Sequence, residues 1–177
     1  MMKNDDFVNI MDIDERIMVD LKYATADNFT GEVVYESDEC LLRRGTAEKL
    51  KSANDLCKKD DYTIKIYDGY RPLSAQKKFW EIMPDRRYVA PPTTGSRHNR
   101  GASVDVTLVD KDGKELAMPS AFDDFSKKAS RSYKGSSKEA RKNMAYLTKI
   151  MTESGFTTIS TEWWHYDDSD WEQYPIE

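Results

Sequence analysis

The chain of 177 residues carries 27 Lys and Arg residues against 32 Asp and Glu residues, which gives a net charge of -5. This acidic balance argues against a nucleic-acid-binding protein, which would normally present a basic surface. Apolar residues make up 38% of the chain and aromatic residues 11%, so the composition excludes a disordered polymer. The length fits a single domain over residues 1–177.

The chain opens with the stretch MMKNDDFVNIMDIDERIMVDL, in which acidic residues recur throughout. A secretory signal needs a basic start followed by an uninterrupted apolar segment, and this stretch has neither. No run in the chain approaches the length of a transmembrane helix. We therefore expect a cytoplasmic protein without a membrane partner, in which Cys40 and Cys57 are reduced thiols.

Three segments have the periodicity of helices. The segment GTAEKLKSANDLCKK begins with Thr46 as a candidate N-cap, and Ser74 can cap a short helix over AQKKFWEIM. Ser136 and Glu139 have the spacing of a capping box, and the apolar positions that follow predict a helix that ends at Gly155.

Strands are predicted between these helices. In YTIKIYDGYRP and ASVDVTLVD apolar residues alternate with polar ones, and the first of these segments ends in a turn. FTTIST is predicted as the last strand and leads into EWWHYDD. The turn DKDG predicts a hairpin that continues through KELAM. Strands with helices inserted irregularly between them indicate an α+β fold rather than a βαβ array.

A basic cluster lies between the predicted hairpin and the last helix. We interpret it as a solvated face of the protein. Its members are Lys127, Lys128, Arg131, Lys134, Lys138, Arg141 and Lys142.

The two histidines of the chain each lie near a carboxylate. His98 ends a glycine-rich loop, and Asp105 follows on a predicted strand, while His165 lies three residues after Glu162. Zinc in hydrolases typically takes three His, Asp or Glu ligands and leaves a fourth position for water. His98, Asp105 and His165 can supply that set, and Glu162 is then available as a general base.

Each of these residues also has an ordinary structural interpretation. A single histidine is most often hydrogen-bonded without a metal, and Asp105 and Glu162 could be solvated carboxylates on strands. A regular strand places residues three apart on opposite faces, so Glu162 and His165 can meet one metal ion only if a bulge or turn intervenes.

The motifs SRHNRGASVDVTL and EWWHYD, with KYATADNFTG and DGYRP upstream, resemble the D-alanyl-D-alanine dipeptidases of the VanX type. These enzymes belong to the zinc D,D-peptidases, which share their fold with hedgehog signalling domains. The resemblance covers residues 22–168 and implies a mainly antiparallel central sheet with flanking helices. It also implies one Zn²⁺ per chain and hydrolysis of the D-Ala-D-Ala dipeptide.

The resemblance implies roles for individual residues. His98, Asp105 and His165 would hold the zinc ion, Glu162 would act as the catalytic acid and base, and Arg71 would stabilise the oxyanion. Ser96 and Tyr23 would contact the bound dipeptide, and Asp123 would receive its free amino group. Pro119 replaces a glycine usual in the family's motif, and Asp124 is an adjacent competitor for the amino group.

Two other functions compete with the dipeptidase. A D,D-carboxypeptidase that acts on peptidoglycan stem peptides would use the same metal chemistry in a more open pocket. A zinc-containing binding module without activity would be expected to lack the base or the oxyanion partner, whereas Glu162 and Arg71 are both present.

Overall fold

The computed structural model describes residues 3–177, so the first two residues of the predicted domain lie outside the described residues. The helices within that range are α1 (Ile10–Ile13), α2 (Arg44–Lys58), α3 (Leu73–Ile82) and α4 (Lys138–Glu153). The strands are β1 (Phe7–Asn9), β2 (Met18–Val19), β3 (Leu41–Arg43), β4 (Thr63–Asp68), β5 (Ser103–Val109), β6 (Phe156–Ile159) and β7 (Glu162–Asp168).

Five strands form the central sheet in the order β2-β4-β5-β7-β6. β2 runs parallel to β4, and every other neighbouring pair is antiparallel. β1 and β3 pair with each other in a separate two-stranded sheet. A mainly antiparallel sheet with helices between its strands confirms the predicted α+β class.

The two faces of β5 have different surroundings. Val104 and Val106 belong to the hydrophobic core, together with Leu50 of α2 and Leu147 of α4. Asp105 lies between the two valines and points to the opposite face, because successive side chains of a strand alternate. The helices α2 and α4 therefore cover one face of the sheet, and the candidate site residues lie on the other.

The first two predicted helices are present but begin earlier than the sequence indicated. α2 begins at Arg44, and Thr46 is not its cap. The Thr46 hydroxyl instead donates a hydrogen bond of 2.6 Å to the buried carboxylate of Asp168. α3 begins at Leu73, which places the predicted cap, Ser74, inside the first turn.

The last predicted helix, α4, is capped by Ser137 rather than by Ser136. The Ser137 hydroxyl accepts a hydrogen bond of 3.0 Å from the backbone N–H of Ala140. Gly155 follows the helix with a φ of 99°, a conformation that glycine adopts at little cost, so the predicted end is confirmed.

The first two predicted strands are confirmed as β4 and β5, and the last is divided into two strands, β6 and β7. The predicted hairpin after β5 is wrong in its second half, because the chain returns only to form one bridge between Val109 and Glu115. Residues 110–137 therefore connect β5 to α4 without a regular strand.

A bulge separates Glu162 from the rest of β7. Glu162 pairs with Ile159 of β6, and the next pair joins Tyr166 to Thr158. β7 thus advances four residues while β6 advances one, which leaves residues 163–165 without partners in β6. This irregularity is the one that Glu162 and His165 need in order to face the same cavity.

Most of the predicted basic face is solvated. Six of its seven members are exposed, and the exception is Arg131, which is partly buried. Its guanidinium hydrogen-bonds to backbone carbonyls of β6 and β7 instead of to water. The prediction is therefore wrong for this residue.

Cys40 and Cys57 are both buried and free of a disulfide, as expected. Within residues 3–177, none of the helices combines the length and the apolar character needed to cross a bilayer.

Candidate metal centre and active site

Three side chains from distant parts of the chain meet on the face of the sheet opposite α2 and α4. The potential ligand atoms of His98, Asp105 and His165 lie within 4.8 Å of one another, and all three residues are buried. Oδ1 of Asp105 lies 3.2 Å from Nε2 of His98 and 3.0 Å from Nδ1 of His165. Two imidazoles and a carboxylate in this arrangement can hold a metal ion and leave a coordination position open.

His98 is oriented by its own loop. It lies in the short 3₁₀ helix Arg97–Arg100, where its backbone N–H donates to the Ser96 hydroxyl at 3.1 Å. Nδ1 of the ring lies 2.8 Å from the carbonyl oxygen of Gly69. Because a carbonyl can only accept, Nδ1 carries the proton, and Nε2 is left free to bind a metal.

His165 is positioned by the register of the sheet. It is the cross-strand partner of Asp105, so the two side chains lie side by side on neighbouring strands. Its Nε2 lies 2.7 Å from Oδ1 of Asp167, which also accepts 2.6 Å and 2.5 Å hydrogen bonds from Ser103 and Arg97 through its two oxygens. Asp167 thus keeps the proton on Nε2 and turns Nδ1 towards the metal position.

The charges of the cluster support one another. Burial alone would raise the pKa of Asp105, but the two histidines hold that pKa below its usual value. Burial alone would lower the pKa of His165, but Asp167 and Asp105 raise it well above its usual value. A metal ion binds neutral imidazoles and an ionised carboxylate. Its binding would therefore displace the proton that these groups share.

Glu162 lies at the edge of the cluster, with Oε1 3.8 Å from Nδ1 of His165. Its side chain is 13% exposed. Burial, together with the nearby charge of Asp105, raises the pKa of Glu162 to about 7, against the opposing effect of His165. The carboxyl group can therefore take up and release a proton near neutral pH.

Arg71 lies in the turn after β4 and is held by a buried polar network. Its Nη2 and Nε donate to Oδ2 of Asp68 at 2.7 Å and 3.2 Å, and its Nη1 donates to Gln76 at 2.8 Å. The guanidinium carbon also lies 4.7 Å from the centre of the Phe79 ring. Burial opposes its charge, but Asp68 raises the pKa of Arg71 well above its usual value, so the residue stays a cation.

Tyr23 and Asp123 meet across the cavity. The Tyr23 hydroxyl hydrogen-bonds to the Asp123 carboxylate, although the residues are 100 positions apart. Asp123 has a φ of 58°, which is uncommon for a residue other than glycine. Asp124, its predicted competitor, lines neither this cavity nor the neighbouring one.

One cavity of about 440 Å³ contains every site residue that the sequence predicted. They are Tyr23, Arg71, Ser96, His98, Asp105, Asp123, Glu162 and His165. A second cavity of about 560 Å³ lies next to it and shares only Phe29 and Asp123 with it. The three candidate metal ligands line the first cavity alone.

Sequence reasoning missed two carboxylates that orient site residues. Asp167 follows His165 by two positions on a strand, and this spacing, which places both side chains on one face, could have revealed it. Asp68 stands three residues before Arg71 in DGYRP. Only the folded turn shows that the two side chains form an ion pair.

A family model for D-ala-D-ala dipeptidases, peptidase family M15, matches residues 3–175. The chain belongs to this family. The D-alanyl-D-alanine dipeptidase of Escherichia coli K12 is 37% identical over 158 residues, which cover 89% of this chain and 82% of the relative. That of Enterococcus faecium is 36% identical and covers 88% and 87% of the two chains. The family predicted from the sequence is confirmed.

A solved structure with a similar fold is that of VanYB in complex with D-alanine-D-alanine. It matches with a TM-score of 0.50 at 16% identity and covers 77% of this chain and 76% of the other. At that identity the likeness concerns the fold alone, and it confirms the D,D-peptidase-like architecture of this M15 family member.

Proposed function

We propose that this protein is a zinc-dependent dipeptidase that hydrolyses D-Ala-D-Ala to two molecules of D-alanine. The observation that carries the proposal is the single cavity in which a metal-ligand set, a carboxyl group of raised pKa and a buried arginine converge. Relatives named D-alanyl-D-alanine dipeptidases, at 36–37% identity over most of the chain, support the choice of substrate.

The donor set fits zinc. His98 and His165 can each offer a metal ion one ring nitrogen, because the other nitrogen is engaged by the Gly69 carbonyl or by Asp167, and Asp105 presents a carboxylate oxygen between them. Three such ligands with an open fourth position are typical of catalytic zinc sites, whereas structural sites are closed by four protein ligands. Bound zinc would act as a Lewis acid on the peptide carbonyl and lower the pKa of a water molecule to about 7.

Glu162 is the proton carrier of the reaction. It accepts the proton of the attacking water and returns it to the leaving amine nitrogen. Its Oε1 lies 3.8 Å from Nδ1 of His165, beside the position that zinc would occupy, so the carboxylate is within reach of both the water and the leaving nitrogen. A general base of this kind typically contributes about 10²- to 10⁴-fold in rate.

Arg71 stabilises the negative charge that develops on the carbonyl oxygen. Asp68 and Gln76 hold its guanidinium in place before the substrate arrives, so little reorganisation is needed during the reaction. A permanently charged donor suits this role, since arginine keeps its proton at any working pH.

The Tyr23–Asp123 pair receives the free amino group of the dipeptide. Burial raises the pKa of Asp123 well above its usual value, and an arriving ammonium group would favour the ionised carboxylate as its counter-charge. Ser96 lines the same cavity, and we propose that it also contacts the bound dipeptide. A pocket that selects a free amine favours the dipeptide over longer stem peptides, in which that nitrogen is part of an amide.

The test is the release of free D-alanine from D-Ala-D-Ala by zinc-loaded wild type and by Glu162→Gln at matched zinc content. We expect release by the wild type and a loss of about 10²- to 10⁴-fold in the variant. Hydrolysis of a stem pentapeptide but not of the dipeptide would replace this proposal with a D,D-carboxypeptidase. Stoichiometric zinc without hydrolysis of either substrate would indicate a binding module.

A further inference from the structure

The bulge in β7 is hydrogen-bonded by a side chain from outside the sheet, that of Arg131. We propose that Arg131 is a positioning residue that fixes this bulge and thereby directs Glu162 and His165 towards the same metal site. The inference rests on the proposed function for its effect on catalysis, but its effect on metal binding can be measured independently.

The bulge is costly for the backbone. Residues 163–165 have no cross-strand partners in β6, so their polar backbone groups lose ladder hydrogen bonds on that side. Trp163 and Trp164 are each 1% exposed, so water does not compensate for the loss. Buried carbonyl groups in such a position need another donor.

Arg131 provides that donor. Its Nη2 lies 3.2 Å from the carbonyl oxygens of both Trp163 and His165, and its Nε lies 2.9 Å from that of Ile159. Ile159 is the β6 residue at which the register shifts. One planar guanidinium therefore hydrogen-bonds to both β6 and β7 at the bulge.

Arg131 is itself held in place from two directions. Its Nη1 donates to the hydroxyl of Thr148 on α4 at 2.9 Å, and its guanidinium carbon lies 4.8 Å from the centre of the Tyr166 ring. Its backbone N–H donates to the carbonyl of Ser160 at 3.0 Å. The fork of donors matches this set of acceptors, and the ammonium group of a lysine could not reproduce it.

Arg131 does not line the catalytic cavity, so it has no contact with the substrate through which it could act. Its contacts are with the backbone that carries His165 and flanks Glu162. A small displacement of that backbone would move a metal ligand and the base together, and misplacement of about 1 Å can cost roughly 10²-fold in rate.

The experiment compares Arg131→Lys and Thr148→Val with the wild type. The matched control is Arg141→Lys, because Arg141 also donates to two backbone carbonyls, those of Lys134 and Ser136, but far from the bulge. The zinc Kd is measured by competition with a chromophoric chelator. The rate constants kcat and KM for D-Ala-D-Ala are measured per bound zinc, and circular dichroism reports the fold.

We expect Arg131→Lys to weaken zinc binding by about 10- to 100-fold and to lower kcat per zinc by a similar factor. KM should stay near the wild-type value, since the residue does not touch the cavity. Thr148→Val should shift both quantities in the same direction by a smaller factor, and Arg141→Lys should change neither. A general loss of stability would reduce the fraction of protein that binds zinc, but it would leave kcat per bound zinc at the wild-type value.

Wild-type zinc Kd and wild-type kcat per zinc in folded Arg131→Lys and Thr148→Val would overturn the inference. If Arg131→Lys does not fold, Thr148→Val decides by the same two quantities. If the wild type fails to hydrolyse the dipeptide, the proposed function falls, while the zinc Kd of the variants still decides the role of Arg131.

Discussion

Nε2 of His165 lies 2.7 Å from Oδ1 of Asp167, two residues further along the same strand. This carboxylate is fully buried and fixes which ring nitrogen of His165 can bind a metal ion. The two residues thus form a carboxylate–histidine pair within a single strand, because residues two apart on a strand lie on the same face.

We expect Asp167→Asn to weaken zinc binding by about 10- to 100-fold, because an amide does not enforce the ring tautomer that a carboxylate does. Chelator competition measures the effect. The exposed Asp170 offers a control, since Asp170→Asn leaves the His165 ring untouched. Equal zinc affinity in Asp167→Asn and the wild type would show that Asp167 does not orient the ligand.

Arg71→Lys tests the oxyanion role separately from the metal. Lysine keeps the charge but loses the fork that binds Asp68 and Gln76, so we expect kcat to fall by about 10²- to 10³-fold. Zinc content should remain at the wild-type level, because Arg71 is not a ligand. Arg87→Lys, at an exposed residue of the cavity wall, is the control. A kcat within twofold of wild type would contradict the role.

Asp123→Asn and Asp124→Asn separate two neighbouring carboxylates. Only Asp123 lines the cavity and contacts Tyr23, so its substitution should raise KM for D-Ala-D-Ala by about 10- to 100-fold, the effect of losing a charged hydrogen bond. Asp124→Asn should leave KM unchanged. Steady-state kinetics at matched zinc content distinguish the two, and the reverse pattern would assign the amine to Asp124.

Asp14 contributes to stability in a pH-dependent way. Burial would raise its pKa, but hydrogen bonds from Arg16 and Asn54 lower it to about 2 from the usual 3.8. A lowered pKa in the folded state means that the contribution, about 2 kcal/mol, is present above pH 4 and disappears as the pH falls towards 2.

Asp14→Asn should therefore lower the free energy of unfolding by about 2 kcal/mol at pH 7. Urea denaturation at a series of pH values measures the difference from wild type, which should narrow between pH 4 and pH 2. Asp112→Asn, on an exposed turn, should change stability by less than about 0.5 kcal/mol. A difference that does not depend on pH would rule out the charge as its cause.

The sequence by itself determined much of the fold and identified candidate site residues that the structure places together. Alternation in β5 placed Asp105 on the face opposite the valines, because the period of two is a property of the strand alone. Helical spacing located α2 and α4 in the same way. The family motifs supplied eight candidate site residues that all line one cavity, since those motifs are local in the chain.

The tertiary structure decided what depends on partners distant in the chain. Thr46 does not cap α2, and its hydroxyl is engaged by Asp168, which is 122 residues away. In the bulge that unites Glu162 and His165, backbone carbonyls accept hydrogen bonds from Arg131, a residue that in the sequence belongs to an ordinary basic cluster. Hydrogen bonds between such distant groups leave no periodicity in the sequence, so only the folded chain reveals them.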